Sequence, residues 1–187
     1  MARLILLNGA PATGKSTLAR RYADEHPLTL ALDIDVVRGL LGDWLSDPSG
    51  AGTLARRMAL AMARAALDEG HDVVVPQLLG KPEFLHQLAD LAVEQKVSFI
   101  EVMLVAPTGE AERRFADRLA AAGTDSHRDN SALLMRTGGL DKIAAAALAV
   151  RQVVSERPNT LTVFTQTDDI DAAYAALLAH IDASQGI

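Results

Sequence analysis

Eight residues near the start of the chain, Gly9-Ala10-Pro11-Ala12-Thr13-Gly14-Lys15-Ser16, carry the pattern G-x-x-x-x-G-K-[ST] in full. Glycines at these positions let the backbone wrap closely enough for its N–H groups to face phosphate oxygens, and a helix opening at Lys15 adds positive potential there. Lys15 can bridge the β- and γ-phosphates of a nucleotide, and the Ser16 hydroxyl stands where it can ligate Mg²⁺. Gly9, Ala12, Thr13, Gly14, Lys15, Ser16 and Thr17 are therefore the expected nucleotide-binding residues, with Lys15 also catalytic. Lysine is scarce in this chain: Lys15, Lys81, Lys96 and Lys142 are the only four, and Lys15 is alone in the first 80 residues. The pattern predicts binding of a nucleoside triphosphate.

A second constellation follows in Leu32-Asp33-Ile34-Asp35-Val36-Val37-Arg38. Read as the end of a strand, it puts Asp33 and Asp35 on one face, about 6–7 Å apart. One carboxylate could act on the metal or its water. The other could accept the proton of an attacking hydroxyl, which turns acidic only as its bond to phosphorus forms. The competing reading is structural, with Asp35 capping a helix and Asp33 a solvated strand end.

The elements that must position these groups alternate as strand and helix. Apolar runs at 3–7, 29–34, 72–75, 97–105 and 160–165 read as strands. Helical patterns cover 15–24, 36–45, 53–69, 82–95, 109–122, 132–156 (broken at Gly138-Gly139) and 170–181, and Ser46-Asp47-Pro48-Ser49-Gly50 reads as a turn. The strands lack clean alternation, as strands covered on both faces do. Right-handed βαβ crossovers and a five-stranded parallel sheet follow, with ligands at its carboxyl edge. The pattern leaves the strand order open.

Composition narrows the class. The 187 residues carry 18 Lys and Arg against 24 Asp and Glu, a formal charge of −6, with 49% hydrophobic residues and no cysteine. The pI near 5.3 gives no global attraction for nucleic acid or an anionic membrane. Absence of cysteine removes disulfides, thiolate metal sites and a cysteine nucleophile, and suits the cytoplasm. No apolar run approaches a membrane span, and one domain over 1–187 is expected, as monomer or homodimer. A GTPase reading lacks its Asp-x-x-Gly and Asn-Lys-x-Asp elements, and a transporter ATPase its Ser-Gly-Gly signature. The two-domain AAA+ architecture needs more chain than is present. A small-molecule kinase remains.

The phosphate loop followed by Asp-x-Asp-x-x-Arg after the second strand resembles the small P-loop kinases that phosphorylate hydroxyls: shikimate and gluconate kinases, chloramphenicol phosphotransferases and zeta-toxin-like kinases. The resemblance implies a three-layer P-loop NTPase fold with sheet order 2-3-1-4-5, ATP with Mg²⁺ as cofactors, and a small helical lid. In those families the carboxylate after the second strand is the base, which maps onto Asp35, with Arg38 orienting the acceptor. One departure stands out. Many P-loop proteins end the third strand with an acid that holds the metal through water, whereas here Val73-Val74-Val75 runs into Pro76-Gln77. Asp33 is the acid available to take that role.

Arg114 and Arg118 share a helical face leading into the polar stretch 123–130, and arginines arriving from a lid (about 109–137) would neutralise charge on the transferring phosphoryl group. The same helix offers an ordinary surface pairing, Glu110–Arg114 and Arg113–Asp117. The acceptor is expected between the second strand and 76–84, covered by helices over about 36–70. Trp44 and Phe84 could wall it, and Gln77 could read it by hydrogen bonds. Arg56 and Arg57 could receive an anion, or form a solvated helix face. None of the five histidines has metal-ligand spacing; His127 lies in the expected lid. The expected partner is a small hydroxyl-bearing molecule. Two alternatives stand beside it, a nucleoside or nucleotide kinase and a non-catalytic ATP-binding regulatory protein.

Overall fold

The run Leu4-Ile5-Leu6-Leu7 sits at the centre of β1 (Arg3–Gly9) in the computed structural model of the chain, and all four side chains are fully buried. The structure describes residues 1–107, 109–120, 139–166 and 169–183. After β1 come α1 (Lys15–Glu25), β2 (Leu30–Ala31), α2 (Ile34–Gly39), α3 (Pro48–Asp68), β3 (Val73–Pro76), α4 (Pro82–Gln95) and β4 (Ser98–Val105). Then follow α5 (Glu110–Ala120), α6 (Gly139–Ser155), β5 (Leu161–Phe164) and α7 (Ile170–Ala183). The strands form one five-stranded sheet in the order β2-β3-β1-β4-β5, every neighbouring pair parallel. This is the three-layer P-loop fold and strand order that the resemblance implies.

The two-residue period of β1 divides its side chains between two cores. Leu4 and Leu6 join Val73, Val75, the alanines of α3 and Leu85 and Leu88 of α4. Ile5 and Leu7 join Leu18 and Tyr22 of α1 and Tyr174 and Leu177 of α7. In α3 the buried positions Ala51, Ala55, Ala59 and Ala63 recur every four residues, a small-residue ridge that lets the helix lie close against its neighbours. No helix among the described residues is long and apolar enough to cross a membrane.

Three boundaries depart from the sequence reading. The second strand, expected over 29–34, is only Leu30–Ala31, although Leu32 N–H still bonds to the Val74 carbonyl at 2.8 Å. It ends early because the Asp33 side chain turns the chain into α2 by accepting from Asp35 N–H. The helix expected over 36–45 stops at Gly39, before Gly42 and the positive φ of Asp43, since glycine weakens helix propagation. Conversely, Pro48-Ser49-Gly50 is no turn but the first turn of α3. Asp47 caps it by accepting from Gly50 N–H, and proline is favoured at that opening position. Most of the expected lid, with the stretch 123–130 that includes His127, lies outside the described residues.

Candidate functional site

The carboxyl edge of the sheet gathers the phosphate loop, the start of α2 and the segment after β3. Gly9 pairs with Leu104 of β4, and a Cβ there would lie 2.7 Å from the Leu104 carbonyl oxygen and 2.9 Å from Thr13 Oγ1. Only glycine fits that approach. Gly14, at φ 89°, precedes α1, and no side chain caps the helix, so its first turn keeps its positive potential for a ligand. Thr13 is buried and donates from Oγ1 to the Ala10 carbonyl at 2.9 Å. Lys15 folds back over the loop, its Nζ donating to the carbonyls of Gly9 (3.0 Å) and Ala10 (2.7 Å).

Ser16, exposed at the start of α1, donates from Oγ to Asp33 Oδ2 at 3.2 Å. The other carboxylate oxygen of Asp33 accepts from Asp35 N–H at 2.9 Å. Asp33 is thus the helix cap, a part the sequence reading considered for Asp35. The shared strand face is corrected too: Asp35 is the second residue of α2, because the Asp33 cap turns the chain into helix two residues after β2 ends at Ala31. The two carboxylates still act on each other. Burial pushes the Asp35 carboxyl up from its ordinary value, Arg38 and Lys15 pull it down, and the Asp33 charge adds to the rise.

Arg38 Nη2 lies 2.9 Å from Asp35 Oδ1, and its guanidinium sits 4.5 Å from the centre of the Trp44 ring. A ring under a guanidinium holds the cation without competing for its N–H groups. Trp44 is buried in that stack, whereas Phe84 lines a separate cleft between α3, α4 and α6. The two aromatics expected to form one wall therefore serve different places. Gln77 extends the β3 ladder, its N–H bonding to the Leu7 carbonyl at 3.1 Å, and is half-buried beside the loop.

Of the arginines expected in a lid, Arg114 is held by Glu110, 3.0 Å from Nε, and by a 3.5 Å contact to the Thr165 carbonyl. Arg113 reaches the same Glu110 and lies 3.8 Å from Asp117. Together, Arg113 first, they hold the Glu110 carboxyl below its usual value. The pairs named as the ordinary alternative for this helix are thus present. The Arg118 side chain lies outside the described residues.

One residue at the site escaped the sequence reading. Asn8 is fully buried; its Oδ1 accepts from Gly9 N–H and from Leu79 N–H, both at 2.9 Å, and its Nδ2 donates to the Leu79 carbonyl at 3.3 Å. It ties the first glycine of the phosphate loop to the chain beyond β3. A polar residue closing an otherwise apolar strand was the available signal. Asn8→Ala leaves two buried N–H groups without an acceptor and is expected to destabilise the fold by about 2–3 kcal/mol. Urea denaturation checks this: a lower midpoint with an unchanged slope.

Comparison with known proteins adds family and fold. The family model AAA_33, described as an AAA domain, matches residues 4–138. The description shares its name with the two-domain AAA+ architecture set aside above; the described residues here form one sheet between two helical layers. No curated protein sequence matches the chain. Among solved structures, a candidate kinase from Chloroflexus aurantiacus J-10-fl superposes with a TM-score of 0.66 at 19% identity, over 100% of this chain and 98% of that one. Kti12 of Chaetomium thermophilum, solved with ADP-AlF3, superposes with a TM-score of 0.60 at 16% identity, over 97% and 98%. A gluconokinase from Sinorhizobium meliloti 1021 gives 0.58 at 16%, over 100% and 98%. At such identities the likeness is one of fold.

Proposed function

The chain belongs to the AAA domain family, and on that premise we propose an ATP- and Mg²⁺-dependent kinase that transfers the γ-phosphoryl group to a hydroxyl of a small organic molecule. The observation that carries this reading is the Ser16–Asp33 contact, 3.2 Å between hydroxyl and carboxylate, with Asp35 held apart by Arg38. On this reading Asp33 is the metal-side group and Asp35 the acceptor-side group. Ser16 and Asp33 present hard oxygen ligands of the kind Mg²⁺ takes alongside nucleotide phosphates and water.

Mg²⁺-ATP bound there supplies the transferable phosphoryl group and a divalent charge against its oxygens. Lys15 moves its amine from the Gly9 and Ala10 carbonyls to the β- and γ-phosphate oxygens. Asp35 receives the proton of the acceptor hydroxyl as that oxygen bonds to phosphorus and the bond to the β-phosphate oxygen breaks. Arg38 opposes the rise that burial imposes on the Asp35 carboxyl and orients the acceptor, with Trp44 fixing the guanidinium and Gln77 offering the acceptor a hydrogen-bonding group. Arg114, once released from Glu110, and Arg118 are the candidates for neutralising the phosphoryl group. The cysteine-free composition suits a cytoplasmic location.

A second reading, ATP binding without transfer, is favoured by one observation: β3 ends in Pro76 and is followed by Gln77 rather than an acid. Incubation with Mg²⁺-ATP and a panel of sugars, nucleosides and aminocyclitol or phenicol antibiotics separates the two. Acceptor-dependent ADP release is the expected result. Tight ATP binding with no turnover on any acceptor supports the second reading.

A further inference from the structure

The backbone ladder between β1 and β3 runs from Leu4 beside Val73 to Leu7 beside Pro76, and ends where Gln77 N–H donates to the Leu7 carbonyl. On the other side of β1 the pairing with β4 continues as far as Gly9. By then β3 has ended, and the Asn8 side chain carries the connection on. A side-chain amide holds an acceptor and a donor at one end. Here that single group accepts from Gly9 N–H and Leu79 N–H and donates to the Leu79 carbonyl. Leu79 is buried with it. A satisfied polar group in a buried setting holds its partners in one arrangement.

Gly9 is the other end of this link. Its N–H rests on Asn8, and its carbonyl accepts from the Lys15 amine at 3.0 Å. Toward β4 it has no slack, for a Cβ there would meet the Leu104 carbonyl oxygen at 2.7 Å. Hydrogen bonds thus lead from Lys15 through Gly9 and Asn8 to Leu79, two residues past Gln77. On the kinase reading the amine leaves the Gly9 carbonyl for the phosphates. The resulting change at Gly9 falls on the acceptor atom that Leu79 shares.

We propose that Asn8 is a positioning residue: it transmits the state of the phosphate loop to the segment Gln77-Leu78-Leu79, so that bound nucleotide sets the acceptor side of the site. The inference rests on the kinase reading above and adds to it a coupling between the two substrates. Fully buried, Asn8 acts through Gly9 and Leu79 rather than on a ligand. The physical basis is a contiguous chain of hydrogen bonds between two parts of one site. Linkage makes the coupling reciprocal: a molecule that binds against 77–79 more tightly when nucleotide is present tightens nucleotide binding by the same factor.

Amide hydrogen exchange tests this without an acceptor. The full chain is followed residue by residue by NMR, with and without saturating Mg²⁺ and a non-hydrolysable ATP analogue. Leu30 N–H, bonded to the Asp72 carbonyl at 2.9 Å at the amino edge of the sheet, is the reference, because a ligand slows every amide that exchanges by global opening. Protection gained at Leu79 N–H is expected to exceed that gained at Leu30 by about tenfold or more. Asn8→Ala is expected to erase this excess. Asn8→Asp keeps an acceptor for both N–H groups, gives up only the bond to the Leu79 carbonyl, and is expected to retain an excess of about threefold or more. A part in the fold alone would lower protection equally with and without the analogue, leaving the excess in place. No excess at Leu79 in the parent protein, an excess that survives Asn8→Ala, or its loss in both variants alike overturns the inference; the first of these needs no variant to fold. An analogue that leaves the Lys15 and Ser16 amides unchanged has not bound, and that result sinks the kinase reading together with this inference.

Discussion

Lys15→Ala is expected to abolish phosphoryl transfer, with turnover at least 10³-fold below the parent protein. On the kinase reading the amine serves the β- and γ-phosphates, from a loop formed otherwise of backbone and small side chains. Preorganised charge against a transferring phosphoryl group contributes several kcal/mol in a site that excludes water. The same substitution leaves the Gly9 and Ala10 carbonyls, which accept from the half-buried lysine, to be satisfied by water. Steady-state ADP release together with a urea melt separates the two effects. Residual turnover above a tenth of the parent, with an unchanged melt, counts heavily against the assignment.

Asp35→Asn carries the second large effect. The amide keeps the size of the side chain and a hydrogen-bond acceptor toward Arg38, but it cannot take a proton from the acceptor. A drop in kcat of about 10²–10⁴ is expected, with ATP affinity nearly unchanged, because Ser16 and Asp33 remain in place. An unaltered kcat would return Asp35 to a structural part in α2. The structure sharpens this comparison, since the capping of α2 falls to Asp33. Asp35→Asn therefore tests chemistry with the helix cap intact, whereas a substitution at Asp33 would disturb the cap and the Ser16 contact together.

Where the reading from sequence succeeded, the signal was local. The phosphate loop is specified by eight consecutive residues whose glycines answer to backbone geometry. At Gly9 the demand is a clash with the Leu104 carbonyl, and at Gly14 it is a left-handed φ. The helix over Pro82–Gln95 was legible end to end, because proline marks its first position and its apolar spacing is regular. The reading slipped at Asp33 and at Pro48, where one side chain decides whether the backbone continues or turns. An aspartate after an apolar run can end a strand or cap a helix. Which it does depends on where its carboxylate finds an N–H, here Asp35 for Asp33 and Gly50 for Asp47.

The sequence by itself determined a P-loop fold, a nucleotide-binding motif and two nearby acids, because strand period, helix period and glycine placement are short-range constraints. Tertiary structure alone decided which distant groups share a space. The sheet order β2-β3-β1-β4-β5 sets β3 beside β1, and that adjacency brings Leu79 onto Asn8. The packing of α3 and α4 over one face brings Arg56, Arg57 and Lys81 onto one cleft, and the turn after α2 slides Trp44 under Arg38. None of these pairings has a repeat or spacing along the chain. They follow from the order in which strands add to a sheet and from how closely an alanine ridge lets a helix approach it.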